Sequence, residues 1–131
     1  MLLLFLFFSN CAGGGGTFST DVWNITYDDQ EGGISLTYKS KNICNGMYAS
    51  YQWEGKEIKT SDYARHKIST GKVSDSFGKG HIYKVEYTDK ELPKLTQYFY
   101  LYPGKEYILT DFTVEAKEEI RSGRMAPVNV D

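Results

Sequence analysis

Histidine and cysteine are scarce in this 131-residue chain, which has only two of each. The histidines are His66 and His81, and together with Cys44 they show no close pair spacing such as His-x-x-x-His. A zinc site takes three or four ligands, which often come in closely spaced pairs. The sequence therefore predicts no metal site and no cofactor.

Positive charge is also limited, because 15 lysine and arginine residues are outweighed by 17 aspartate and glutamate residues, giving a formal net charge of -2. No run of basic residues stands out along the chain. Proteins that bind nucleic acid usually carry a basic face or an overall basic excess. We therefore expect no nucleic-acid partner.

The N-terminal region has no charge before Asp21, and its residues 2–8 form the apolar run LLLFLFF. A membrane-spanning helix needs about 20 apolar residues, so this run is too short to span a bilayer. It resembles the apolar centre of a secretory signal, although no Lys or Arg precedes it. Cys11 and a glycine run follow, as in a bacterial lipoprotein signal, where the cysteine becomes lipidated.

These features predict a signal segment at 1–11 with Cys11 as the lipidation site, and a flexible glycine-rich tether at 12–20. The protein would then lie in the cell envelope, either held at the membrane by its lipid or secreted. An uncleaved apolar tail is the alternative reading of the same residues.

Strand patterns dominate the rest of the chain, whereas helical periodicity is scarce. Residues 34–40 and 81–87 alternate apolar and polar side chains, and residues 95–115 form an aromatic hairpin around the turn PGKE. Patterns of this kind predict about six to eight short strands, which is typical of a sandwich. We predict an all-β, antiparallel β-sandwich over residues 21–131, complete or part of a larger supersandwich.

The same patterns locate several connections. Polar residues at 41–46 predict a turn, and the Gly-, Ser- and Lys-rich middle of 63–89 predicts a long hairpin connection. Residues 114–120 are the only helix candidate, but they are short and uncapped, so they predict the end of a strand. The segment 125–130 is expected to form an edge strand or a linker.

Aromatic residues make up 15% of the chain, and eleven of them are tyrosines. Tyr98, Tyr100 and Tyr102 alternate along one side of a predicted strand whose other side is also apolar. One side must face the core, and the tyrosine side is either covered or exposed as a contact surface. Flat rings suit the apolar faces of sugars, so the candidate carbohydrate contacts are Trp23, Trp53, Tyr98, Tyr100 and Tyr102.

No set of side chains marks a catalytic centre. The stretch SDSFGKGH at 74–81 lacks the Ser or Thr that follows Lys in a phosphate-binding loop, and a strand rather than a helix follows it. The Gly-x-Ser-x-Gly pattern of a nucleophile elbow is absent. We therefore assign no catalytic residue, while a hydrolase with an unrecognised site remains an alternative.

Three motifs suggest a family. They are L-x-Q-x-F-x-L-Y at 95–102, I-L-T-x-x-T-V-E at 108–115 and M-A-P at 125–127. Together with the glycine-rich stretch before 81, they make residues 73–128 resemble the N-terminal β-sandwich of α-galactosidase and raffinose-synthase-like glycoside hydrolases. In that family the chemistry lies in a (β/α)₈ barrel after the sandwich, and two Asp residues act as nucleophile and acid/base.

No barrel motif occurs in this sequence, so the resemblance transfers no catalytic residue and implies no activity of this chain alone. It implies a non-catalytic module or fragment of a cell-envelope glycoside hydrolase, truncated at its C-terminus. Such a module would pack against a missing catalytic domain or weakly bind a galactose-containing glycan. An envelope lipoprotein that acts as a protein–protein interaction module is the second reading.

Overall fold

The computed structural model describes residues 16–30 and 32–130. Within these residues the chain forms ten β-strands and one turn of 3-10 helix, Thr60–Asp62. No helix in this part of the chain is both long enough and apolar enough to cross a membrane. The predicted signal segment with its lipidation candidate Cys11 lies outside the described residues, as does the first part of the predicted tether.

The strands form two antiparallel sheets, which confirms the predicted fold class. The first sheet has six strands in the order β1-β2-β3-β4-β10, with β5 also paired to β4, and the second sheet is the meander β6-β7-β8-β9. The strands are β1 (Thr17–Ser19), β2 (Trp23–Asp28), β3 (Gly33–Tyr38), β4 (Lys41–Trp53), β5 (Lys56–Lys59), β6 (Arg65–Asp75), β7 (Gly78–Thr88), β8 (Lys94–Leu101), β9 (Ile108–Glu115) and β10 (Met125–Asn129).

The core lies between the sheets and is built from alternate residues of each strand. On β7, the buried residues Tyr83, Val85 and Tyr87 alternate with half-buried polar or apolar residues, as the sequence predicts. They pack in one cluster with Ile25 and Tyr27 of β2. Burial of each large apolar side chain stabilises the fold by about 1.5–3 kcal/mol.

Tyrosine hydroxyls connect separate parts of the sandwich. Tyr83 donates a hydrogen bond to the carbonyl oxygen of Gly16 at 2.6 Å, which ties β7 to the start of the first sheet. The hydroxyls of Tyr51 and Tyr63 lie 2.8 Å apart, and Tyr63 donates to the carbonyl oxygen of Pro93 at 2.7 Å. Burial raises the pKa of Tyr63 and Tyr83, so both phenols stay neutral and available as donors.

The ordered sandwich begins earlier than the sequence predicts. Residues Thr17–Ser19, assigned to the tether, form β1 and pair with β2, where Phe18 lies opposite Ile25. The carbonyl oxygen of Gly16 also accepts a hydrogen bond from the Tyr27 amide at 3.1 Å. Thr17–Ser19 therefore belong to the first sheet through the β1–β2 hairpin, a pairing that glycine content does not indicate.

Two connections also differ from the prediction. Residues 41–46 form the first half of β4 rather than a turn, because they pair with β3 across bulges that accommodate Gly46 at a φ of 65°. The long connection predicted within 63–89 is instead a tight turn, since β6 continues to Asp75 and β7 starts at Gly78. At the C-terminal end, β10 pairs with β4, as an edge strand should.

Candidate functional site: an aromatic surface on the second sheet

Tyr98 and Tyr100 lie side by side on the outer surface of the second sheet. Their β8 neighbours Gln97 and Phe99 are fully buried, so alternation directs the tyrosines away from the core. The two ring centroids are 6.3 Å apart and the ring planes differ by only 17°. Both side chains are half-buried, which leaves part of each ring accessible to a ligand.

Neighbouring strands extend this surface. Residues that pair directly across antiparallel strands lie on the same face of the sheet. Tyr100 pairs with Ile82 of β7 and Leu109 of β9, which are also half-buried. Next to Ile82 on β6 is Gly71, which adds no side chain. We call Tyr98, Tyr100, Ile82 and Leu109 the tyrosine platform.

Charged groups border the tyrosine platform. Tyr98 pairs with Lys84 on one side and with Asp111 on the other. One row further along, Glu86 contacts Lys94 at 2.8 Å and Lys84 at 3.8 Å. The hydrogen bond from Lys94 lowers the pKa of Glu86, so this carboxylate stays ionised. The platform is therefore an apolar area with hydrogen-bonding groups at its edge.

The pKa of Tyr100 is raised above its ordinary value, mainly by burial. The negative charge of Asp111 adds to the effect. The Tyr100 phenol therefore remains protonated through the physiological pH range. A neutral phenol can both donate and accept a hydrogen bond, which suits a hydroxyl-rich ligand.

Tyr102 is on the same side of the chain as Tyr98 and Tyr100, but it is only 2% exposed. The rings of Phe77 and Tyr107 lie 6.0 Å and 6.3 Å from it. Its hydroxyl donates to Asp75 at 2.5 Å, and this hydrogen bond raises the pKa of Tyr102 to about 12. Tyr102 therefore supports the surface and does not present an open ring to a ligand.

Sequence reasoning missed the two residues that cover Tyr102. Phe77 is 51% exposed in the β6–β7 turn, and Tyr107 is 40% exposed just before β9. Phe77 lies outside any alternating strand pattern, whereas Tyr107 belongs to the alternating pattern predicted for the return strand of the 95–115 hairpin, and neither was singled out. The aromatic residue in the polar 74–81 turn was itself a usable signal.

The two tryptophan candidates lie elsewhere. Trp23 belongs to the core, is only 8% exposed, and its indole N–H donates to the carbonyl oxygen of Lys105 at 3.0 Å. Trp53 is half-buried at the end of β4, where it lines a cavity of about 540 Å³ together with Leu92 and Ile120. The five candidate contacts therefore do not form one site, and of these five only Tyr98 and Tyr100 have neighbouring, nearly parallel rings.

The scarce metal-ligating residues are also spread out. His66 contacts Asp29 with 2.7 Å between Nε2 and Oδ1, and the ring of His81 packs against Phe18. Cys44 lies half-buried on β4, where burial raises the pKa of its thiol. Across residues 16–30 and 32–130, no three His, Cys, Asp or Glu residues form a group that could hold a metal ion.

Comparison with known proteins identifies no family for this chain. No family model matches this chain, and searches of curated proteins and of solved structures return no significant match.

Proposed function

We propose that this protein is a non-catalytic β-sandwich module that binds carbohydrate through the tyrosine platform. The observation that carries the proposal is the pair of near-parallel, accessible rings of Tyr98 and Tyr100, 6.3 Å apart on a sheet face. The C–H groups of a pyranose ring form an apolar face that packs on an aromatic ring. Two aligned rings suit two neighbouring sugars of one oligosaccharide.

The border of the platform supports the same ligand class. A sugar has an apolar face and a rim of hydroxyl groups, so its partner should be apolar in the centre and polar at the edge. Lys84 supplies donors and Asp111 supplies acceptors in the row of Tyr98, and Glu86 supplies acceptors one row further from Tyr100. Two aromatic contacts worth about 0.5–1.5 kcal/mol each would give only weak binding.

The motifs at 95–102, 108–115 and 125–127 support a galactose-containing glycan as the ligand and an α-galactosidase-like glycoside hydrolase as the context. In that context the module would pack against a catalytic domain as well as contact the glycan. The signal-like segment with Cys11 supports a position in the cell envelope, held at the membrane by lipid or secreted.

Isothermal titration of the purified protein with raffinose and galacto-oligosaccharides tests the proposal. We expect weak, saturable binding that Tyr98→Ala or Tyr100→Ala reduces about fivefold to tenfold, since each removes one stacking contact. Tyr48→Ala is the matched control, because Tyr48 is a half-buried tyrosine between the buried residues Met47 and Ala49 on the first sheet. It should leave binding unchanged.

Other results would favour the other functions. Absence of heat with every glycan, while circular dichroism shows an intact fold, would refute carbohydrate binding. A stable dimer that Tyr100→Ala dissociates would instead indicate a protein-interaction module, a reading favoured by the exposed rings of Phe77 and Tyr107. Glycoside turnover by this chain would identify it as a hydrolase.

A further inference from the structure

A second pocket, of about 500 Å³, lies on the β6–β7 hairpin, away from the tyrosine platform. Its polar lining consists of Lys72, Ser74, Lys79 and His81, and Pro103 forms part of its wall. Among residues 16–30 and 32–130, no acidic residue lines it. This composition is unexpected in a chain whose acidic residues outnumber its basic ones.

Strand register explains why these four side chains converge. Lys72 pairs with His81, and Ser74 pairs with Lys79. Directly paired residues share a face, and residues two positions apart on one strand also share it. All four therefore project from the side of the hairpin that faces the first sheet. The ring of Phe18 in β1 lies 5.1 Å from the ring of His81 on this side.

No ion pair among the described residues neutralises the positive charges in this pocket. Neither Lys72 nor Lys79 is within ion-pair distance of a carboxylate in the part of the chain that the structure describes. Asp75 is the acid nearest in sequence, but each of its oxygens accepts a hydrogen bond from a group other than these lysines. They accept hydrogen bonds from the Phe77 amide at 2.8 Å and from the Tyr102 hydroxyl at 2.5 Å.

Tyr102 belongs to the outer side of the second sheet, so these bonds hold the Asp75 carboxylate on the face opposite the lysines. The β6–β7 hairpin therefore has Asp75 on one face and Lys72 and Lys79 on the other. Two ammonium groups, a hydroxyl and an imidazole remain together in a concave site.

We propose that this pocket binds the oxyanion group of a small ligand, and that this group is a phosphate, a sulfate or a carboxylate. Lys72 and Lys79 would donate charge-assisted hydrogen bonds to its oxygens, and the Ser74 hydroxyl would donate a third. His81 adds a further donor and, with Phe18, an aromatic wall. The pocket and the tyrosine platform lie on opposite faces of the second sheet, so each binds independently of the other.

Amide chemical shifts of the ¹⁵N-labelled protein test the pocket. We would add sodium phosphate, sodium sulfate or sodium glucuronate separately, with sodium chloride holding the ionic strength constant. Saturable shifts at Lys72, Lys79 and His81 are expected with at least one of the three, and the tightest ligand identifies the anion type.

Variants decide whether the lysines cause the binding. Lys72→Gln and Lys79→Gln should each weaken it about tenfold or more, since each removes a charge-assisted hydrogen bond. Lys56→Gln, on exposed β5, removes the same charge from the other sheet and should have no effect. Shifts that stay linear with all three salts, or that are equal in the lysine variants, would overturn the proposal.

Each of the two proposals can be refuted without affecting the other. Tyr98→Ala should leave anion binding intact, and Lys72→Gln should leave glycan binding intact. Loss of both activities in either variant would contradict the independence of the two sites.

Discussion

Gly80 occupies a position in the second sheet where no larger residue fits. A Cβ atom there would lie 2.6 Å from the carbonyl oxygen of Leu101 and 2.7 Å from Cδ1 of Tyr102. The first neighbour is backbone and the second belongs to a buried ring, so neither can move freely. The absence of a side chain at this position is what allows Tyr102 to pack against β7 beneath Phe77 and Tyr107.

Gly80→Ala should therefore lower the free energy of unfolding by about 1–3 kcal/mol, the usual cost of forcing extra volume into a packed site. Gly71→Ala is the matched control on the same hairpin, since nothing lies within 4 Å of a Cβ at that position. Urea denaturation of both variants measures the difference. Equal stability of the two variants would contradict this packing of Tyr102.

At the residue scale, alternation predicted which face of the strand a side chain occupies, but not how accessible that side chain is. Alternation correctly placed Tyr98 and Tyr100 together on the side opposite Phe99. It could not separate them from Tyr102, because all three have the same parity on the strand. Tyr102 is covered by the rings of Phe77 and Tyr107, which come from two different turns.

Strand β10 shows how one element depends on both sheets. It pairs with β4 in the first sheet, and the fully buried Gln97 of β8 donates from Nε2 to the carbonyl oxygen of Pro127 at 3.1 Å. The hydroxyl of Tyr87 lies 3.4 Å from Oε1 of Gln97 and donates to it. Gln97 therefore connects the second sheet to a strand of the first.

Gln97→Leu should cost about 1–3 kcal/mol of unfolding free energy, because it leaves the Tyr87 hydroxyl and the Pro127 carbonyl without their partner. Hydrogen exchange should accelerate in β10 more than in β7. Thr113→Val, at an exposed position on β9, is the control and should change neither quantity. Uniform acceleration across all strands would show that Gln97 has no specific role in holding β10.

Strands were predictable from the sequence where apolar and polar residues alternate within one short segment. Residues 81–87 and 95–102 alternate clearly, and both form strands with the expected inner face. Residues 41–46 are mostly polar, so their membership of β4 depends on hydrogen bonds to β3. The same holds for 71–80, where pairing between β6 and β7 continues through glycine- and lysine-rich sequence.

The molecule as a whole carries many buried tyrosines, so its stability should depend on pH in alkaline solution. Burial raises the pKa of Tyr63, Tyr83 and Tyr87 above the ordinary value, and the hydrogen bond to Asp75 raises that of Tyr102 to about 12. In the unfolded chain these phenols would ionise near pH 10.

Because the native state keeps protons that the unfolded state loses, the stabilisation is complete below about pH 10 and decreases as the pH rises towards 12. Each of these tyrosines should contribute a slope of up to about 1.4 kcal/mol per pH unit in that range. Denaturation at several pH values measures how the free energy of unfolding changes with pH, and tyrosinate absorbance measures the pKa values of the phenols. A stability that stays constant through this range would contradict the raised pKa values.

The sequence by itself determined the all-β class, the inner faces of the clearest strands and the pairing of Tyr98 with Tyr100, because strand alternation is a local property. Tertiary structure alone decided that Trp23 lies in the core and that Tyr102 is covered. It also directed Asp75 away from Lys72 and Lys79. These outcomes depend on residues far apart in the chain that meet only when the two sheets and their turns come together, and no local pattern records such contacts.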